Sequence, residues 1–178
     1  ALVMDVGVLA AGHAPVDIDN AAVAAAGGTT LAALIESGDE NTAMTAMAAG
    51  ASRLASELHA EGRIQGMLAL GGSMGTDLAF DVAAALPLGV PKVVISTVAY
   101  SHLIPPERIT PDLIMVLWAG GLYGLNSLCE SALALARQAP TAGRPTDRDT
   151  ERRAGAVDGR DRGLAKCSES IEEPLATA

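Results

Sequence analysis

Ile64-Gln65-Gly66-Met67-Leu68-Ala69-Leu70 runs straight into Gly71-Gly72-Ser73-Met74-Gly75-Thr76, and an apolar segment from Asp77 to Leu86 follows, ended by Pro87 and Gly89. A short apolar run bounded by glycine reads as a buried strand, and the segment beyond reads as a helix. A glycine-rich turn between a strand and a helix is the junction on which parallel α/β sheets are built. The order strand, glycine turn, helix therefore points to an α/β fold.

The same alternation recurs on both sides of this stretch. Lys92-Val93-Val94-Ile95-Ser96-Thr97 is rich in β-branched residues and reads as a buried strand. After a long loop containing Pro105-Pro106, Asp112 to Trp118 reads as a further strand closing on Gly120-Gly121, and Asn126 is placed to cap a last helix, Ser127 to Arg137. Upstream, Met44, Met47, Ala51, Leu54 and Leu58 recur at helical spacing and predict a long helix from Asp39 to about Gly62. Two short helices precede it, Ala21 to Ala26 capped by Asp17 or Asp19, and another starting at Thr29 or Thr30. Leu2 to Val8 reads as one more buried parallel strand. Strands alternating with helices imply right-handed crossovers and a doubly wound, Rossmann-like parallel sheet with helices on both faces.

The chain divides by composition at about residue 140. Residues 141–178 crowd seven Lys/Arg and eight Asp/Glu into a stretch with few large apolar groups, and are expected to form a charged, poorly ordered tail. Residues 1–140, expected to form the α/β domain, hold nearly all of the net charge of −9. Such an acidic surface repels nucleic-acid backbones, and four aromatics offer no stacking platform for single strands. Cys129 and Cys167 form neither a disulfide framework nor a metal-ligand pattern, so a reducing cytoplasm is expected. No run reaches the ~20 apolar residues of a membrane span, and Asp5 breaks the apolar start, which is not read as a signal peptide.

Chemistry concentrates in Gly71-Gly72-Ser73-Met74-Gly75-Thr76. At a strand-to-helix junction the unpaired amides and the positive helix end point at one spot, where an anion is the natural occupant. Glycines let a phosphate approach the backbone closely, and some residues of the turn are expected at positive φ. Ser73 and Thr76 add hydroxyl donors. Neither recognised phosphate pattern is met, since the turn has no Walker lysine and no Gly-x-Gly-x-x-Gly. The competing reading is a tight turn whose glycines only permit close packing.

Asp5, Ser96 with Thr97, and the Gly120-Gly121 to Asn126 segment are expected along the same sheet edge. Asp5 is a candidate for ribose hydroxyls or for nearby backbone amides. Ser96 and Thr97 would bind ligand or satisfy their own turn. His13, His59 and His102 show no metal-ligand spacing, so no metal site is expected, and no Gly-x-Ser-x-Gly elbow announces covalent catalysis.

Met4-Asp5-Val6-Gly7, Ala26-Gly27-Gly28-Thr29-Thr30, the 71–76 turn, Val90-Pro91-Lys92-Val93 with Ile95-Ser96-Thr97, and Gly124-Leu125-Asn126 together resemble the Tm-one-like ATP-binding family over about residues 1–140. That group is named after a plant protein conferring resistance to a tobamovirus. The resemblance implies a nucleotide-binding amino-terminal region of α/β subdomains followed by a barrel-like second domain. It also implies that an earlier strand, with a Lys-bearing Gly-Thr-x-Asp-Thr-Lys-Gly-like turn, is missing here together with the second domain.

Three functions follow as expectations. The first is a nucleotide-binding module holding ATP, with or without Mg²⁺, through amides of Gly72, Ser73, Gly75 and Thr76 beside Gly71, with Asp5 near the ribose and Ser96 and Thr97 alongside. The second is an enzyme acting on a small phosphorylated metabolite or sugar, with a nearby Asp, His or Lys92 moving protons. The third is a non-catalytic interaction half that pairs into a homodimer or higher homo-oligomer, or packs against the second domain, through exposed strand edges. No catalytic residue is singled out.

Overall fold

The computed structural model describes residues 1–9, 15–102, 104–118 and 127–138. Its elements in chain order are α1 (Asn20–Ala26), α2 (Leu31–Ser37), α3 (Glu40–Ala60), β1 (Met67–Gly71), α4 (Ser73–Ala85), β2 (Lys92–Ser96), a 3-10 turn (Pro106–Arg108), β3 (Leu113–Leu117) and α5 (Ser127–Gln138). Each of the first three helices starts where a short polar side chain satisfies the orphan amides of the first turn. Asp19 Oδ1 accepts from Ala22 N at 2.8 Å, Thr30 Oγ1 from Ala33 N at 3.2 Å, and Asp39 from the amides of Asn41 and Thr42.

The three strands form one parallel sheet in the order β1-β2-β3. Met67 lies opposite Lys92 and Gly71 opposite Ser96, and β2 continues the register with Lys92 opposite Leu113 and Ser96 opposite Leu117. All five residues of β2 are buried, as a central strand between two covered faces requires. Successive side chains leave a strand on opposite faces. Ser96 meets Thr76 of α4, whereas Ile95 packs with Val93, Val116 and Ala132 of α5. Helices α4 and α5 therefore cover opposite faces, which is the wound α/β arrangement expected from the alternation of elements.

A second cluster lies among the helices. Val23 and Ala24 of α1, Leu34 of α2, Met47, Ala48 and Ala51 of α3 and Leu78 of α4 are buried together. The expected strand Leu2 to Val8 belongs here and not to the sheet. Its pairing is one parallel bridge, Met4 with Ile18, supported by Asp5 N donating to Ile18 O at 2.9 Å and Ile18 N to Val3 O at 3.1 Å. Met4, Val6 and Val8, which alternate along the segment, pack against the helical cluster. Apolar content signals burial but not the partner, and the wall formed by α1 to α3 accepts these side chains as a neighbouring strand would.

Two boundaries also move. Ile64 N donates to Leu58 O at 3.4 Å and Gly62 N to His59 O at 2.9 Å, so the start of the expected strand closes the end of α3 and β1 begins only at Met67. Helix α4 begins at Ser73, four residues before the expected start at Asp77. The 141–178 tail, the Gly120-Gly121 turn, the Asn126 cap and His13 lie outside the described residues.

Candidate functional site

The turn after β1 is as short as a strand-to-helix junction allows. Gly71 ends the strand, Gly72 is the cap residue at φ −78° and ψ −155°, and Ser73 opens the helix. The first helical bond runs from Thr76 N to Gly72 O at 2.8 Å. Amides of Ser73, Met74 and Gly75 precede that bond and face the end of the helix. No side chain caps α4, unlike the three preceding helices. Gly72, Ser73 and Met74 are exposed, so this helix end opens to solvent beyond the carboxyl end of β1.

The three glycines have different reasons to be there. A Cβ on Gly71 would sit 2.8 Å from the Cα and carbonyl carbon of Gly75, so the close approach of strand end and helix start excludes any side chain. At Gly72 the nearest atom to a Cβ would be Thr97 Oγ1 at 3.8 Å, and at Gly75 it would be Leu70 O at 3.8 Å, both ordinary contacts. The expectation of positive φ in this turn is not met: among the described residues the glycines at positive φ are Gly28, Gly38, Gly62 and Gly89, and Gly72 is extended. An extended cap residue followed directly by helix needs no left-handed step.

Beneath the turn lies a chain of buried hydroxyls. Thr76 Oγ1 is 2.6 Å from Gly72 O and 2.6 Å from Ser96 Oγ, while Val98 N donates to Ser96 Oγ at 3.0 Å. Gly72 O can only accept, so the single Thr76 proton goes there, and the Ser96 proton goes to Thr76 Oγ1. Both hydroxyl groups are thereby committed to holding the turn. Thr97 N donates to Gly71 O at 3.2 Å, extending the β1–β2 ladder by one residue, and Thr97 itself is exposed beside Gly72.

The structure thus brings Gly71, Gly72, Ser73, Gly75, Thr76, Ser96 and Thr97 together. Gly71, Thr76 and Ser96 form its interior, and Gly72, Ser73 and Thr97 its exposed rim. Asp5 lies on the segment that bridges Ile18, where its Oδ1 accepts from Gly7 N at 2.8 Å. His59 lies at the end of α3 with Nδ1 3.2 Å from Ile64 O.

Lys92 lies at the opposite end of the sheet. It opens β2 whereas Ser96 ends it, a separation of about 13 Å at ~3.3 Å per residue. Its side chain is 1% exposed, and its ammonium donates to Asp112 Oδ2 at 2.6 Å and to Pro87 O at 3.0 Å. Lys92 therefore serves as a structural ion-pair partner and is not a proton donor for the turn. Its hydrogen bond to Asp112, helped by the Gly89 amide, pulls the Asp112 carboxyl down to about 2.

The sequence reading passed over Arg108. From the 3-10 turn it reaches α4, with Nη1 2.8 Å from Asp81 Oδ1, and Nη2 2.7 Å from Asp77 Oδ1 and 3.1 Å from Asp77 O. The carboxylates, first Asp81 and then Asp77, push its pKa up. Asp77 directly follows Thr76, so this pairing offsets a negative charge beside the glycine turn. The available signal was the pair Asp77 and Asp81, one helical turn apart with no basic residue on α4 to match.

Among the described residues no group of three or more His, Cys, Asp or Glu side chains is arranged to hold a metal ion, and no helix is long and apolar enough to cross a membrane.

The chain is 64% identical over 114 residues to a UPF0261 protein of Brucella suis, covering 64% of this chain and 27% of the relative. It is 34% identical over 138 residues to a UPF0261 protein of Clostridium tetani, covering 78% of this chain and 34% of the relative. A shorter match, 35% over 79 residues, links it to the ToMV susceptible protein tm-1(GCR26) of Solanum lycopersicum, with 44% of this chain and 10% of the relative covered. The chain thus spans about a quarter to a third of the length of its bacterial relatives. Residues 1–144 match the amino-terminal domain of an uncharacterised protein family, and the chain belongs to that family, UPF0261.

Proposed function

We propose that this chain is a nucleotide-binding module of its family's longer protein, holding phosphate oxygens at the amides of Ser73, Met74 and Gly75, with the Ser73 and Thr97 hydroxyls at the rim. One observation carries the reading. Packing within the fold accounts for the missing side chain at Gly71 but not for those at Gly72 and Gly75, and these two bare positions flank an uncapped, exposed helix start. A ligand that must approach the backbone closely is the physical reason to keep a Cβ away from such a place. Position adds support, because ligands of parallel sheets sit beyond the carboxyl ends of the strands. The resemblance of the five quoted motifs to an ATP-binding family narrows the ligand to ATP, with or without Mg²⁺.

Isothermal titration with ATP and Mg²⁺ tests the reading, on this chain and on a version extended to the length of its bacterial relatives. Heat from either version, diminished by Gly72→Leu, supports it. Silence from both removes it. A thermal-shift screen in which sugar phosphates stabilise the protein and ATP does not would transfer the turn to a phosphorylated metabolite.

A further inference from the structure

We draw no further inference here: the strongest candidate, the sheet face at β1 with the exposed side chains of Leu68 and Leu70, is an apolar strip without a partner among the described residues, and nothing in the structure shows what covers it.

Discussion

Thr76 and Ser96, twenty residues apart in sequence and both buried, place their hydroxyl oxygens 2.6 Å apart and thereby tie the first turn of α4 to the end of β2. Thr76→Val keeps the shape of the side chain but strands the Ser96 proton and takes a donor from Gly72 O. An unsatisfied buried polar group costs about 1–3 kcal/mol. Urea unfolding is expected to show that loss for Thr76→Val, while Thr76→Ser, which keeps the hydroxyl, loses clearly less. Equal stabilities for the two variants would mean the hydroxyl chain does not hold the turn.

The glycines of the turn predict a separation between folding and binding. Gly71→Ala drives a Cβ into the backbone of Gly75 and should lower stability by about 1–3 kcal/mol. Gly72→Ala meets nothing closer than 3.8 Å at a φ that alanine adopts freely, and should leave stability within about 0.5 kcal/mol. If phosphate approaches the helix start, the same Gly72→Ala change weakens nucleotide binding. Thermal melts and titrations on both variants measure the two effects separately. A Gly72→Ala protein that melts early would assign the glycine to the fold alone.

How far the sequence foretold this geometry depends on the range of the interaction. The strands Lys92–Ser96 and Leu113–Leu117 and the helix Glu40–Ala60 were legible because their signals are local: β-branched runs and helical spacing of Met47, Ala51 and Leu58. Leu2 to Val8 misled because its apolar side chains require burial without naming the surface that provides it. At Ser73 to Thr76 the residues look like loop, since glycine and serine are weak helix formers. The helix nevertheless starts there, because the Gly72 carbonyl is fixed by Thr76 from one side and the turn by Ser96 from below. The Arg108 contacts join residues about thirty positions apart, so the unmatched pair Asp77 and Asp81 asks for a cation without saying where in the chain it lies.

Gly50 lies inside α3, where replacing glycine by alanine ordinarily gains about 1 kcal/mol. Here the opposite sign is expected. A Cβ on Gly50 would lie 2.0 Å from Val23 O in α1, and backbone cannot yield as a flexible side chain does, so the two helices must separate. Overpacking of this kind costs about 1–3 kcal/mol and outweighs the propensity gain. Denaturant midpoints of Gly50→Ala and of the parent chain decide it, and a stabilised variant would show that the α1–α3 contact is loose.

The pair formed by buried Lys92 and partly buried Asp112 predicts a defined acid response. Because folding lowers the Asp112 carboxyl from 3.8 to about 2, chiefly through the Lys92 hydrogen bond, its contribution is fully present above 3.8 and fades as pH falls through about 2. Asp112→Asn leaves the Lys92 ammonium buried without its counter-charge at every pH, which should cost about 3–5 kcal/mol near neutrality. Parent and variant are therefore expected to differ most above 3.8 and to converge as the parent's own carboxylate is protonated near 2. Urea unfolding at a series of pH values measures that gap. A gap that stays constant into acid would show that protonation of Asp112 does not break the pair, and that some other contact of the aspartate sets the loss.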